Sequence, residues 1–595
     1  MESSELAGNA VTFLHDEDYA ERLIEPRLDH RTWVNPGGRP MQSLDGDWAF
    51  TIDLFDTGLR QRWFEIGRPD GPRKDPLDYD PYDSETAPVP SVWNLLDPEW
   101  LHFEGGAWYS RDLEIEPGAE DERFVLRVGG ANYITRIFVN GRFAGSHVGG
   151  STPFCCDLTE LVRPGINRLM IHVENRRQAD RVPSHHIDWF NYGGIHRSVG
   201  LMRLPLRHIR DAHIRFVDGE GIVIDVLTSG KGGDVRVQIP ELGLDISAPV
   251  LATETRLTIP ADPERWSPDN PKLYDVTLDW HEDRFAERVG FRTVQVRGRD
   301  VLINGEPAFL RGICVHEDDL EAGRVATQDT IARIFADAKA LGANFIRLAH
   351  YPHHEMVARE ADRLGLLLWA EVPVYWSIDF ANPATRADAD NQLAELIARD
   401  RNRASVICWG LANETPDTDE RFDFLTTLAG TARRLDPNRP LAAACLFDQA
   451  DLKIRDRLAD LVEIVGVNEY FGWYDSDADD LARLLAAYDR NQPLIISETG
   501  CDVQAGRHGA AEDLYTEEFG VTYFRRQIDA VRSGGAVSGF CPWLLYDFRT
   551  ERRKTRTHQG WNLKGLIAAD KVTRKRTFDV VRAFYQQLKD NHGRP

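Results

Sequence analysis

From Val301 onward the chain keeps to one grammar: a short apolar run, then a stretch of helical periodicity, repeated to the end. The apolar runs are the strand through Phe309–Val315 and then NFIRLAH, LLLWAEV, VICWGLAN, LAAACL, IVGVNEY, LIISET and VSGFCPWLLYDF. Between the first two, Ile331, Ile334, Phe335 and Ala338 fall at i, i+3, i+4 and i+7, which is one apolar helix face. Eight such units in about 290 residues predict an α/β region of TIM (β/α)8-barrel type over 298–595. In that fold the polar residues at the C-terminal strand ends share one rim and are the first candidates for chemistry.

Ahead of Val301 the pattern is purely β. A chain of 595 residues exceeds the ~250–300 at which one core stops growing, so two or three domains are expected. Residues 1–40 are polar and read as an arm. From Leu44, DWAFTIDL, YSRDLEI, RFVLRVGG, ITRIFVNGRFAGSH and RLMIHVEN read as short alternating strands, with Asn140-Gly141 as a two-residue hairpin turn. They predict an N-terminal jelly-roll-like β-sandwich within 1–205, interrupted by a long loop over Phe64–Pro90. HIRDAHIRF, GIVIDVLTS, DVRVQIP, LYDVTLDW and RTVQVRG predict a smaller, immunoglobulin-like β-sandwich at 206–297.

Composition narrows the function classes. The formal charge is −24 with no domain-scale basic footprint, which argues against nucleic-acid binding and against an anionic membrane surface. The first thirty residues hold no uninterrupted apolar segment of signal-peptide type, and no run approaches the ~18 apolar residues of a membrane span. The seven cysteines are odd in number, lack CxxC spacing and mostly sit in apolar strand-like runs, so buried thiols in a reducing cytoplasm are expected. His185-His186 and His353-His354 are adjacent pairs, which rarely converge on one ion. With no HExxH, Cys set, Walker A or dinucleotide fingerprint beside them, neither a metal nor a cofactor is expected. The 15 tryptophans suit sugar faces as well as cores.

The predicted strand ends gather ionisable groups. In order they offer His316, Glu317 and Asp318, then Arg347 and His350, then Glu371, then Asn413 and Glu414. Asn468 and Tyr470, Glu498, and Trp543 with Asp547 follow. Acids ending strands four and seven, Glu414 and Glu498, can face each other across the mouth. Paired carboxylates suit glycoside hydrolysis, in which one must be a neutral acid and the other an ionised nucleophile. Nearby negative charge raises the first, and a donor to the second keeps it ionised. A non-catalytic carbohydrate-binding protein of enzyme ancestry is the alternative from another class, and the presence of both acids argues against it.

GLANET (Gly410–Thr415), IISETG (Ile495–Gly500), LRGICVHED (Leu310–Asp318) and RLAHYP (Arg347–Pro352) resemble the motifs of glycoside hydrolase family 2. So does the order sandwich, immunoglobulin-like sandwich, barrel, from about Leu44 onward. The resemblance implies that Glu414 is the acid/base and Glu498 the nucleophile. It implies that Asn413 bonds the sugar 2-hydroxyl, that Tyr470 and Arg347 lie near the nucleophile, and that His316, His350 and Trp543 line the glycone pocket. Within the family, DWFNYGGIHRSV (Asp188–Val199), NEYFGWY (Asn468–Tyr474) and NLKG (Asn562–Gly565) are similar to the β-glucuronidases. That likeness assigns Asp188 to the sugar 4-hydroxyl, Asn468 to the substrate site and Tyr474 to the neighbourhood of the substrate carboxylate. It assigns Asn562 and Lys564 to the C6 carboxylate of glucuronic acid. The implied activity is a retaining, exo-acting β-glucuronidase, with β-galacturonidase or β-galactosidase as alternatives inside the family. The family also implies a homodimer or homotetramer.

Three departures from that pattern stand out. Members of the group carry an Arg four residues before this Asn; here His558 stands there, and either His558 or Arg556 is expected to donate to the carboxylate. The usual NEP reads NETP, and the segment Glu371–Gln392 is short, which implies an open mouth suited to oligosaccharide ends. Basic islands at Arg549–Arg556 and Lys571–Arg576 flank NLKG and are expected to focus anionic substrates.

Overall fold

The computed structural model of the chain describes residues 23–69, 71, 77–116, 121–474, 477–534 and 537–590. Most of the arm read at 1–40 lies outside the described residues.

The barrel is closed. Parallel strands run in chain order as Leu310–Val315, Phe345–Leu348, Leu367–Glu371, Val406–Asn413, Leu441–Cys445, Ile464–Asn468, Leu494–Thr499 and Val537–Pro542, and the last pairs with the first. Several are buried along their whole length, as parallel strands covered on both faces must be. Helix Gln328–Leu341 shows how sequence sets an element. Thr327 caps it through a capping box with Thr330, Ile331, Ile334, Phe335 and Ala338 are buried, and Gly342 ends it at φ 88°.

The first sandwich shares one core between two sheets. One sheet orders Met41–Ser43, Val199–Pro205, Glu122–Val128 and Phe154–Asp157. The other orders Glu85–Val89, Gly46–Asp53, Gly106–Ile115, Gly165–Glu174, Ile134–Val139 and Arg142–Val148. The hairpin turn at Asn140-Gly141 forms, with φ of 50° and 79°. The stretch Phe64–Pro90 is not all loop. Its Glu85–Val89 pairs with Gly46–Asp53 as an edge strand, the place where a proline such as Pro88 is tolerated.

The second sandwich sets Ile209–Val217, Gly221–Thr228 and Glu254–Ile259 against Leu244–Pro249, Asp234–Ile239, Tyr274–Trp280 and Asp283–Val289. RTVQVRG does form a strand, Val294–Arg297, but not here. It pairs with Asp300–Ile303 in a small separate sheet, and Val294 packs with barrel residues such as Leu310 and Trp369. Alternation specifies a strand without specifying its sheet.

Ion pairs fasten the first sandwich to the barrel. Arg197 donates to Glu317 at 3.0 Å and Arg127 to Glu355 at 2.6 Å, while His147 and Thr152 meet Glu395 of helix Pro383–Asp400. From this clamp the stretch around Asp188 and Trp189 reaches the barrel mouth, where Trp189 packs edge-on against Tyr351 and Tyr375 at 5.3 and 5.1 Å. The seven cysteines are buried free thiols. Among the described residues no helix is long and apolar enough to cross a membrane.

Candidate active site

Arg347, at the end of the second barrel strand, organises the floor of the mouth. Its side chain is fully buried and spans two carboxylates: Nη1 donates to Glu498 Oε1 at 2.8 Å, while Nε and Nη2 donate to Glu371, each at 3.1 Å. Nη2 also donates to Asn413 Oδ1 at 2.7 Å. Burial opposes its charge, but Glu371 and Glu498 outweigh that and hold the guanidinium firmly protonated. One buried cation thus ties its own strand end to those of strands three, four, six and seven, reaching Asn468 Oδ1 at 3.4 Å.

Glu498 lies between two donors. Besides Arg347, Tyr470 donates its hydroxyl to Oε2 at 2.7 Å. Burial pushes this carboxyl up; Arg347 pulls it down, the Glu414 charge pushes it up again, and the Tyr470 hydroxyl pulls it down. Glu414, half-buried on the open side, has only neutral donors: Trp376 Nε1 at 2.9 Å and Asn413 Nδ2 at 3.3 Å, both to Oε2. Burial raises its pKa too. The two acids are therefore electrically coupled, and their donors differ: the charged Arg347 bonds Glu498, while Glu414 has neutral donors.

The walls are aromatic. The His350 ring stacks on Trp543 at 4.9 Å and 17°, and its Nδ1 meets Glu371 Oε1 at 2.7 Å, which fixes the ring proton there. His316 packs on Phe548 at 4.4 Å and edge-on to Trp543 at 5.2 Å. Burial holds His350 down to about 4 and His316 well below the usual range, so both imidazoles are neutral near pH 7. Asn468 donates to Asn413 at 3.0 Å and accepts from Ser497 at 2.8 Å. A cavity of about 310 Å³ adjoins Glu414, walled by Leu446, Phe447, Tyr470 and Phe471 among others.

A second polar cluster closes one side of the mouth. Lys564 Nζ, buried, donates to Tyr474 Oη at 2.7 Å and to Asp502 Oδ2 at 2.8 Å. His558 Nε2 lies 3.5 Å from the same Asp502 oxygen, and Arg553 approaches it at 4.0 Å. Burial works against the Asp502 carboxylate, yet Lys564, His558 and Arg553 hold it well below its usual range. Arg553 also donates to Asp188 Oδ2 at 3.0 Å and to Tyr474 Oη at 3.2 Å, and Thr550 donates to Asp188 Oδ1. Asn562 is fully buried. Its Oδ1 accepts the Lys564 N–H at 3.1 Å, and its Nδ2 has no partner. An unpaired buried amide is costly, and this donor is left open to an acceptor.

The structure thus gathers Glu414, Glu498, Arg347, His350, Asn413, Asn468, Tyr470, Trp543 and His316 around one floor. Asp188, Tyr474, His558, Asn562 and Lys564 form the adjoining cluster. Arg556 is not part of it: the residue is exposed, and the arginine in place is Arg553, three positions earlier. The five cations in RTERRKTR look alike, and only the turn through Thr550–Gly560 decides that Arg553 meets Asp188. Asp502, Arg553 and Trp376 escaped the sequence reading; Asp502 follows the IISETG motif by two residues, which is the signal that could have found it. Three strand-end acids serve the framework instead. Glu317 pairs with Arg197, Asp318 accepts from Tyr192 at 2.6 Å, and Asp547 accepts from Lys575 at 2.7 Å. Among the described residues one group has metal-ligand proximity, Asp53, Asp56 and His172 in the first sandwich. Asp53 there already accepts the Thr57, Gly58 and Trp108 N–H groups, and Asp56 pairs with Arg176.

Comparison with known proteins agrees along the chain. Residues 41–205 match the sugar binding domain of glycosyl hydrolases family 2, residues 208–292 the family 2 domain that follows it, and residues 294–590 the family 2 TIM barrel domain. The chain is 30% identical over 581 residues to a β-glucuronidase of Paenibacillus borealis, covering 89% of this chain and 94% of that one. It is 29% identical over 550 residues to a β-glucuronidase of Streptococcus agalactiae, covering 82% and 90%. Among solved structures, the β-glucuronidase of Ruminococcus gnavus in complex with D-glucuronic acid superposes with a TM-score of 0.83 at 25% identity, over 94% of this chain and 100% of that one.

Proposed function

The chain belongs to glycoside hydrolase family 2, and from that premise we propose that it is a retaining, exo-acting β-glucuronidase. It removes a terminal β-D-glucuronic acid from glucuronides or oligosaccharides. The observation that carries this reading is the buried donor pair on NLKG: the partnerless Asn562 amide and the Lys564 ammonium, beside the coupled carboxylates. A hydrogen bond to an ionised group is worth ~1.5–3 kcal/mol, roughly 10–150-fold in favour of a uronide over the neutral sugar.

Glu498, ionised between Arg347 and Tyr470, attacks the anomeric carbon while Glu414 gives its proton to the glycosidic oxygen. The aglycone leaves and a glycosyl-enzyme ester remains on Glu498. Glu414, now ionised, takes a proton from water, which attacks the same carbon and releases the sugar with its configuration retained. Asn413, whose Oδ1 is occupied by Arg347 and Asn468, turns its amide N–H groups toward Glu414 and the 2-hydroxyl. His350 and Trp543 line the glycone pocket beside the ring. Tyr474, Lys564 and Asn562 take the C6 carboxylate, with His558 and Arg553 setting the charge around it. Asp188, held by Thr550 and Arg553, reads the 4-hydroxyl.

A panel of aryl β-D-glycosides tests the reading. The expected outcome is turnover of the glucuronide, with the galactoside and galacturonide at least about tenfold slower. Faster galacturonide turnover moves the assignment to the 4-epimer, and faster galactoside turnover rejects the uronide reading. Lys564→Ala should lower kcat/KM for the glucuronide by about 10–150-fold and spare any neutral-sugar activity. Glu498→Ala should abolish turnover; an active variant refutes its role. A dimer or tetramer is the proposed assembly, which light scattering measures.

A further inference from the structure

We propose that the aglycone side of the site carries a cation, Arg552, that selects leaving groups bearing a carboxylate or sulfate, such as an acidic second sugar. The inference rests on the glucuronidase reading and deepens it. Glu414 protonates the departing oxygen, so whatever surrounds Glu414 on its open side faces the aglycone. Trp376 is bonded directly to the Glu414 carboxylate at 2.9 Å and is half-buried at the rim. The Arg552 guanidinium stands over the Trp376 ring at 4.7 Å. A cation held on an aromatic face keeps its N–H edge free for a planar anion.

The charge on Arg552 has no partner of its own. Its backbone N–H reaches Thr550, but among the described residues its exposed side chain forms no ion pair, and neither do those of Lys554 and Arg556 on the same turn. Other exposed arginines of this chain do meet carboxylates, as Arg236 meets Asp245 and Arg284 meets Asp279. In a chain of formal charge −24, this turn carries three cations without an ion pair, of which Arg552 stands at the mouth over Trp376. The exposed pair His185-His186, with ring centroids 3.9 Å apart, adds titratable nitrogens near Arg552. The other flank of Glu414 is mixed, lined by Leu446 and Phe447 but also by Gln449 and Asp480, and offers no cation. An aglycone leaving Glu414 therefore meets its unpaired cation on the Trp376 side alone. The C6 carboxylate of the glycone is served separately by Lys564 and Asn562, so Arg552 is free for a second negative charge.

The test compares 4-carboxyphenyl and 4-carbamoylphenyl β-D-glucuronide, which share size and differ in charge. The reading is the ratio of their kcat/KM values in the wild type and in Arg552→Ala, because leaving-group acidity cancels between the two enzymes. Exposed ion pairs are worth at most a few-fold, so the ratio should fall about fivefold in Arg552→Ala and recover in Arg552→Lys. High salt should lower the wild-type ratio toward that of Arg552→Ala. A ratio that moves by less than about twofold overturns the proposal. Arg552→Gln is read the same way should the alanine variant be lost. If the wild type hydrolyses the carbamoyl glucuronide and the ratio stays put, only this inference fails. If it hydrolyses neither glucuronide, the underlying reading fails and this inference with it.

Discussion

At the scale of single residues, the carboxylates make different predictions because their surroundings differ. Burial raises both Glu498 and Glu414 above the ordinary glutamate range. The sign follows: the nucleophile ionises only above about 4.5, so the acidic limb of kcat/KM should be displaced upward from that value. Activity should fall again at higher pH as Glu414 loses its proton. Glu414→Gln should lower kcat for a poor leaving group about 10²–10⁴-fold and remove the alkaline limb. An acidic limb at or below 4.5 would contradict the burial argument. Glu469 is a buried acid with no task in the reaction. Burial pushes it up to about 7, against the Thr499 side chain and the Phe471 N–H that pull it down. Its folded pKa lies above the unfolded value, so its favourable contribution is intact below pH 4.5 and is lost as pH rises toward 7. The gap amounts to about 3 kcal/mol by pH 8. Glu469→Gln should therefore raise Tm at pH 8 and leave it unchanged at pH 4.5; equal Tm values at both would refute the buried charge.

At the scale of elements, the stretch QGWNLKGL shows what local sequence controls. Trp561–Asn562 pairs with Phe548–Arg549 in a two-residue ladder that fixes where Asn562 and Lys564 stand. Gly565 follows, and a Cβ there would meet the Asp547 nitrogen at 2.2 Å and the Ile567 oxygen at 2.5 Å. The requirement is close backbone approach, reinforced by the Gly565 N–H to Asp547 Oδ1 bond at 2.8 Å. Gly565→Ala should cost about 1–3 kcal/mol of stability and should raise KM for a glucuronide more than for any neutral glycoside. A variant of wild-type stability and unchanged KM would show that the stretch tolerates displacement. The barrel strands were legible because each is a short, mainly apolar run ending in polar residues. The edge strand Glu85–Val89 was not, because three of its five residues are exposed and one is Pro88. Strand Val294–Arg297 was legible as a strand but not as a partner, since pairing depends on residues far along the chain.

At the scale of the molecule, sandwich and barrel are held by charge in low-dielectric surroundings. Burial opposes the Glu317 and Glu355 carboxylates, but Arg197 and Arg127 from the sandwich hold both below the ordinary range, Glu355 at about 2. Depressed carboxylates give stability that is present above about 4.5 and is lost as pH falls through the folded value. Acid should therefore loosen this interface. Tm should drop between pH 5 and 3, and Glu355→Gln should start lower at pH 7 yet show a shallower acid slope; an identical slope would remove Glu355 from the account. The same interface brings Asp188 and Trp189 to a mouth built mainly by the barrel. By itself the sequence determined the classes of element, the eight-unit barrel and the strand ends at which Glu414 and Glu498 stand, because periodicity and strand-end position are local properties. Only the tertiary structure decided that Arg553 rather than Arg556 faces inward, that Asp502 underlies Lys564, and that Trp376 holds Glu414. Those choices turn on which side chains meet in a dry cleft, and burial and Coulomb energy depend on distances through space rather than along the chain.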